Sequence, residues 1–189
     1  MKKLLIISLL QLLLVGYHYN TNDQFGKWKI QKISVYICKN MKKIKLNKFK
    51  RAFKRWQKKL KSKVTFKVKR GEMPYFKKGI SICFDHSWNR TGYDDAYALT
   101  TSTWSAHNRE IHKSEIFFNA KTFKWTRSRS KKRFVNFESI LMHEIGHAIG
   151  LRHSENKKSI MYARPHATKA RKTLHREDIK KIKQLYKHD

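Results

Sequence analysis

Cysteine is scarce in this sequence of 189 residues, with only Cys38 and Cys83 present. No disulfide framework can therefore hold the fold, and a zinc site built from several thiolates is excluded. Both cysteines fall out of phase with the apolar residues of two predicted strands. They could bond if those strands are neighbours, and two separate small core residues are an equally good interpretation.

Acidic residues are also few, with 13 Asp and Glu against 45 Lys and Arg, and the formal net charge is +32. Such an excess produces a long-range positive field that favours polyanionic partners. The segment from Lys42 to Lys63 contains no acidic residue, so the exposed face of a helix there is almost entirely basic. We expect acidic glycans or anionic surfaces as partners, and the charge says nothing about the fold.

After residue 15, no apolar run approaches the length that crosses a membrane. The run Leu4–Val15 follows the basic start Met1–Lys3 and is typical of a secretory signal peptide, which we place at residues 1–17 with an approximate boundary. An uncleaved membrane anchor is the alternative. We therefore expect a secreted, extracellular protein without a nucleic-acid partner.

The remaining composition, 40% hydrophobic and 13% aromatic, excludes a disordered chain. The length predicts one domain, which we place at residues 27–188. A period of two predicts strands at 33–37, 64–68, 80–84 and 115–119, whereas 89–108 is expected to be loop. Apolar stripes at spacings of three and four predict helices at 46–60, from Asn136 onward, and at 173–187.

The strongest motif is a set of histidines in the second predicted helix. His143 and His147 are four residues apart, so both project from one helix face and their imidazoles can share one ion. Zinc accepts neutral imidazole nitrogen and keeps an open position for water in catalytic sites. His153 can be the third ligand only if the chain turns first. Gly150 supplies that turn, because glycine readily takes the left-handed conformation that ends a helix.

Glu144 directly follows the first of these histidines and is placed to reach the open position on the metal. Zinc lowers the pKa of its bound water to about 7, so a nearby carboxylate can take the proton while the water attacks a polarised peptide carbonyl. The same carboxylate can then pass the proton to the leaving amine. We therefore predict that Glu144 is the general base.

The pattern extends to HExxHxxGxxH, and Met161 follows at the Met-turn position of the metzincin signature. With Ser154 directly after the third histidine, the chain resembles the matrixins, the matrix-metalloproteinase branch of the metzincins. The resemblance implies an α+β fold with a twisted five-stranded mixed sheet and three helices, in which a Met-turn follows the active-site helix. It also implies one catalytic zinc ion bound by His143, His147 and His153.

The same resemblance implies further features. An edge strand at Ile116, Phe117 and Phe118 is expected to align extended substrates above the zinc by strand addition. Glu177 and Asp178 match an acidic pair that ties the last helix to the Met-turn and to the mature N-terminus.

The chain also departs from the matrixin pattern. Matrixins usually bind a second, structural zinc partly through histidines where this chain has Tyr97 and Phe117, so we expect that site to be absent. Residues 163–165 read Ala-Arg-Pro where the family usually shows Pro-x-Tyr beside the specificity pocket. The side-chain preference of the pocket is therefore left open.

These observations predict a secreted zinc-dependent metalloendopeptidase that hydrolyses peptide bonds of extracellular proteins, acts on protein or peptide substrates and is a monomer. The alternative is a catalytically weak or inactive protein on a metzincin scaffold that binds polyanions or membrane surfaces through its basic face. The intact set of Glu144 and three histidines favours the peptidase.

Overall fold

The protein is described here by a computed structural model that covers residues 26–60, 64–74, 77–126, 135–164 and 171–187. The predicted signal peptide, residues 1–17, lies outside the described residues. Two short strands, β6 (Trp125–Thr126) and β7 (Val135–Asn136), pair with each other. The main element is a sheet of five strands, β1 (Lys32–Ile37), β2 (Thr65–Arg70), β3 (Gly79–Asp85), β4 (Ala98–Trp104) and β5 (Ile111–Asn119).

The five strands lie in the order β2-β1-β3-β5-β4. β1 pairs in parallel with β2 and β3, β3 pairs in parallel with β5, and β4 runs antiparallel to β5. The sheet is therefore mixed, as the resemblance implied. In β1 the alternating residues Ile33, Val35 and Ile37 are fully buried, which fits a strand with a neighbour on each side.

Within the described residues, three α-helices complete the fold. One side of the first helix is buried, and its apolar stripe consists of Phe49, Phe53 and Trp56. The second begins after Asn136, whose side chain accepts a hydrogen bond from the Ser139 amide and so satisfies a free N–H of the first turn. No helix in the described part of the chain is long and apolar enough to cross a membrane. The helices are α1 (Leu46–Gln57), α2 (Phe137–Ala148) and α3 (Arg176–Leu185).

Helices α1 and α2 pack against each other and against the sheet. The Trp56 indole N–H donates to the Met142 carbonyl at 3.1 Å, and the Phe49 and Phe137 rings meet edge to face at 5.5 Å. α1 contacts β2, whereas α2 contacts β4 and β5. Every residue of α2 except His147 is buried, so this helix places its polar side chains inside the molecule.

The prediction of the edge strand is wrong. Ile116, Phe117 and Phe118 lie in β5, which pairs with β3 on one side and β4 on the other. The edge strand next to α2 is β4, inside the segment 89–108 that the sequence predicts as loop. Since β4 is mostly half-buried or exposed, it lacks the alternation of apolar residues that identifies the other strands.

Cys38 and Cys83 form a disulfide. Cys38 follows β1, Cys83 lies in β3, and these two strands are neighbours in the sheet. The Cys38 amide also donates to the Ile82 carbonyl at 3.0 Å. The bonded pair, one of the two interpretations left open by the sequence, is therefore the correct one.

Candidate metal centre

Three histidine side chains converge at the end of α2. The Nε2 atom of His147 lies 3.1 Å from that of His143 and 3.1 Å from that of His153. Two nitrogens bound to one tetrahedral zinc ion are about 3.3 Å apart, so the observed spacing fits a single ion. Among the His, Cys, Asp and Glu side chains of the described residues, these three histidines lie close enough together to hold a metal ion, with ligand atoms within 4.8 Å of one another.

Backbone carbonyls fix the proton on two of these rings. Nδ1 of His143 lies 2.8 Å from the Ile160 carbonyl oxygen, and Nδ1 of His147 lies 2.8 Å from that of Leu151. A carbonyl can only accept, so Nδ1 carries the proton in each ring and Nε2 keeps its lone pair. Lone pairs that face one another need a cation between them, which is the arrangement of a metal site.

Burial keeps the three rings neutral. It lowers the pKa of His143 to about 4, with a smaller contribution from nearby His153. It also lowers the pKa of His147 well below its usual value and lowers that of His153. Because neutral imidazole is the form that binds a metal, the triad is ready for metal at neutral pH.

A tight turn brings the third histidine back toward the other two. The Gly150 amide donates to the His147 carbonyl at 2.9 Å, and the Leu151 amide donates to the Gly146 carbonyl at 2.9 Å, the pair of bonds of a Schellman motif. Gly150 has φ +100°, and a Cβ atom there would collide with the Gly26 carbonyl oxygen. Both the backbone conformation and the close packing therefore require glycine.

The predicted Met-turn lies directly against α2. Met161 is 1% exposed, and its sulfur packs so closely on Gly146 that a Cβ atom there would collide with it. The Met161 carbonyl accepts a hydrogen bond from the Ser154 amide at 2.8 Å. The Met-turn is thus connected both to the active-site helix and to the residue after the third histidine.

Asp178 connects α3 to the Met-turn. Its buried carboxylate accepts hydrogen bonds from the Ser159 hydroxyl, the Ile160 amide at 3.0 Å and the His175 amide at 2.7 Å. Because Ile160 also holds the His143 ring, the carboxylate indirectly positions a ligand. The predicted tie to the Met-turn is confirmed, whereas the N-terminal part of that prediction falls on residues outside the described ranges.

Glu177 makes the second connection between α3 and the centre. Its carboxylate accepts a hydrogen bond from the Ser154 hydroxyl at 2.6 Å and pairs with the Lys181 ammonium at 2.8 Å. Lys181, and then Ser154, lower the pKa of Glu177 to about 2. The carboxylate is therefore ionised under all ordinary conditions.

Glu144 directly follows the ligand His143 on α2 and is 5% exposed. Burial raises the pKa of its carboxyl group to about 7, and a hydrogen bond from Thr100 acts in the opposite direction. The Thr100 hydroxyl donates to Oε2 of Glu144 at 2.6 Å. No motif in the sequence indicates this partner, although the β-branched residues Thr101 and Thr103 near it favour a strand.

Tyr97 and Phe117, the residues at the expected positions of a second zinc site, pack against other side chains. The Arg90 guanidinium lies 4.4 Å from the centre of the Phe117 ring and pairs with Asp85 at 3.1 Å. The Tyr97 ring packs on Phe123 at 4.6 Å. A guanidinium thus provides positive charge beside this strand, and the absence of a second zinc stays a prediction.

The sequence of this chain is similar to those of known proteins. The sequence model of the family described as Matrixin matches residues 27–187. A segment of 52 residues is 48% identical to the "Putative matrix metalloproteinase" of Trichoplusia ni ascovirus 2c, over 28% of this chain and 10% of that protein. A segment of 52 residues is 42% identical to "Metalloendoproteinase 2-MMP" of Arabidopsis thaliana, over 28% of this chain and 14% of that protein.

The two relatives are matched over only a small share of their own length, whereas the family match extends over most of this chain. The mixed sheet, the three helices and the histidine triad agree with that match. The chain therefore belongs to the matrixin family of metalloproteases.

Proposed function

We propose that this chain is a secreted zinc-dependent endopeptidase that hydrolyses peptide bonds of extracellular proteins, with Glu144 as the general base. The observation that carries the proposal is the convergence of three imidazole Nε2 atoms next to a buried carboxylate. This set provides a place for the metal and a group that moves protons, the two requirements of metal-assisted hydrolysis.

His143, His147 and His153 would hold the zinc ion through Nε2. Bound zinc supplies a water of lowered pKa and polarises a substrate carbonyl. Before zinc binds, burial raises the pKa of Glu144 to about 7, and a bound zinc ion would lower this pKa and favour the carboxylate that accepts a proton. Thr100 binds Oε2, which leaves Oε1 to take the proton and to return it to the leaving amine.

The free edge of β4 supports binding of an extended peptide. β5 occupies one side of β4, and no strand of the described residues pairs with the other side, so its backbone groups are available for strand addition. Thr100 joins this strand to Glu144, so a peptide along the edge passes the triad. Among the described residues, Trp104 at the end of β4 is an exposed large hydrophobic side chain, with an exposed fraction of 38%. It offers an apolar contact to the substrate.

Secretion is supported by two observations. The apolar run Leu4–Val15 after a basic start has the composition of a signal peptide. The disulfide between Cys38 and Cys83 suits an oxidising compartment, because cytosolic proteins keep their thiols reduced. The natural destination is therefore outside the cytosol.

The test is digestion of an unfolded protein such as gelatin by the purified, zinc-loaded chain. We expect cleavage that a chelator abolishes and added zinc restores. Glu144→Ala should lower kcat/KM by about 100-fold or more, the usual contribution of general acid–base catalysis, while its zinc content stays at that of the wild type.

Glu155→Ala is the matched control, because Glu155 is an exposed carboxylate two residues beyond the third ligand. It should cleave as the wild type does. Cleavage that resists the chelator, or a Glu144→Ala variant as active as Glu155→Ala, would contradict the proposal. Zinc binding without any cleavage by the wild type would instead identify the inactive scaffold.

A further inference from the structure

We propose that the exposed side of α1 binds sulfated polysaccharide, at a site separate from the metal centre. We call this site the α1 basic surface. It does not depend on peptidase activity. It consists of Lys42, Lys45, Lys50, Arg51, Lys54 and Lys58, all of which are exposed.

The positive charge of the α1 basic surface is not balanced by nearby carboxylates. No Asp or Glu occurs between Asp23 and Glu72, so the segments that form β1, α1 and β2 contribute no carboxylate. Among the described residues, the salt bridges include none of the six cations. A neighbouring lysine on the inner side, Lys48, pairs with Glu138 of α2 and is not part of the surface.

Helix geometry arranges the central cations in a row. Arg51, Lys54 and Lys58 are three and four residues apart, so they lie on one face opposite the buried stripe of Phe49, Phe53 and Trp56. With a rise of 1.5 Å per residue, the row is about 10 Å long. A linear polyanion along the helix axis can therefore contact all three side chains at once.

The position of α1 keeps this surface away from the substrate. α1 packs on β2, where the Phe66 amide donates to the Gln57 side chain at 3.2 Å. β2 and β4 are the opposite edges of the sheet, and Thr100 of β4 contacts the general base. α1 also contacts α2 through Trp56, but the row of cations lies on the opposite side of α1, so a polyanion bound there leaves the β4 edge open.

Sulfated polysaccharide fits this surface better than a membrane or a nucleic acid. The aromatic residues Phe49, Phe53 and Trp56 of α1 are buried in the core, so the helix offers no exposed aromatic or broad apolar face to insert into a bilayer. The six residues include no aromatic ring on which a base could stack. A ligand bound by charge alone, in the oxidising compartment that the disulfide favours, is a sulfated glycan.

The probe is heparin, titrated against the full, zinc-loaded chain at several NaCl concentrations. The triple variant Arg51→Gln, Lys54→Gln, Lys58→Gln should bind heparin at least about tenfold more weakly. The slope of log Kd against log salt concentration should fall by about two. Each contact between a cation and the polyanion releases roughly 0.7 counterion, and the variant loses three contacts. Arg51→Gln alone should give an intermediate loss.

The control is the triple variant Arg176→Gln, Lys180→Gln, Lys183→Gln, which removes the same charge from exposed positions of α3. It should keep the Kd within twofold of wild type, and thermal midpoints should show that both triple variants are folded. Glu144→Ala should bind heparin as wild type does, so the result does not depend on catalysis.

Two outcomes would overturn the proposal. Equal weakening in both triple variants would show that net charge binds heparin, with no defined surface. Tighter binding of single-stranded DNA or phosphatidylserine vesicles than of heparin at 0.15 M NaCl, roughly physiological ionic strength, would assign the surface to another partner.

Discussion

At the residue scale, the Thr100 hydroxyl joins the edge strand of the sheet to the helix that carries Glu144. It lies on β4, and it donates to the Glu144 carboxylate of α2 across 2.6 Å. A hydrogen bond to a charged group contributes about 1.5–3 kcal/mol. The orientation of the base is therefore set by the strand along which we expect the substrate to bind.

Thr100→Val should lower kcat/KM by about tenfold or more, because it removes this donor while it keeps the shape of the side chain. Zinc content should not change. Thr100→Ser should recover most of the activity, because it restores the hydroxyl. Thr101→Val is the control on the same strand, since Thr101 is exposed, and peptidase assays that rank Thr100→Val equal to it would contradict the assigned role.

Gly150→Ala should destabilise the protein strongly. The left-handed conformation alone costs about 1–2 kcal/mol for a residue with a Cβ atom, and the collision with the Gly26 carbonyl adds to it. Gly92→Ala separates the two effects, because Gly92 has φ +82° and no atom within 4 Å of the added Cβ. Urea unfolding should show the larger loss for Gly150→Ala, and equal losses would mean that the contact with Gly26 is unimportant.

At the element scale, α3 acts as a support for the Met-turn and for the segment of the third ligand. Asp178 binds the Met-turn, and Glu177 binds Ser154 directly after His153. The helix therefore holds both ends of the segment 154–160, which directly follows the third histidine. Its own start is fixed by a capping box between His175 and Asp178.

The pKa of Glu177 makes this support sensitive to acid. Its folded-state pKa of about 2 lies below the ordinary value of 4.5. The ionised carboxylate therefore adds stability that is fully present above pH 4.5 and is lost as the pH falls toward 2. Glu177→Gln should reduce the free energy of unfolding at pH 6, and the difference from wild type should shrink at pH 3. Glu155→Gln is the control, and a pH-independent difference for Glu177→Gln would contradict this account.

Elements whose signal is local could be predicted from the sequence. The apolar stripe of α1 and the alternation in β1 and β3 identify buried faces, and the spacing of His143, His147 and Gly150 defines the metal site within one helix and one turn. β4 could not be predicted, because an edge strand exposes much of its surface. The partner of Glu144 was missed for the same reason, since Thr100 is 44 residues away and meets it only through the packing of β4 on α2.

The order of the strands could not be predicted from periodicity either. Alternation shows which residues of a strand are buried, and the resemblance implied five strands. Neither fixes which strand lies at the edge, because pairing joins distant segments. Ile116 and Phe118 are buried with neighbours on both sides, and this central position is why their apolar signal was so clear.

At the scale of the whole molecule, the two ends of the described chain meet at the C-terminal end of α2. The Trp28 indole donates to the Ala148 carbonyl at 2.8 Å, and the Tyr186 hydroxyl donates to the Ile149 carbonyl at 3.1 Å. The Trp28 amide in turn donates to the Tyr186 oxygen at 3.3 Å. Carbonyls at the end of the active-site helix are thus satisfied by residues 158 positions apart.

The disulfide links the end of β1 covalently to β3, and its two cysteines are 45 positions apart in the sequence. Its removal should cost about 4 kcal/mol by the chain-entropy estimate. A reductant should lower the denaturation midpoint of the wild type and leave the double variant Cys38→Ser, Cys83→Ser unchanged. A reductant effect of the same size on both proteins would show that the bond does not stabilise the fold.

The opposite positions of β2 and β4 have a kinetic consequence. Neighbouring strands are about 4.8 Å apart, so four spacings separate the two edges by about 19 Å. An enzyme held through α1, beside β2, can exchange one substrate for the next at β4 without leaving its glycan. With the proposed glycan site, residence time on the glycan and turnover number would be independent quantities, and many cleavages could follow a single binding event.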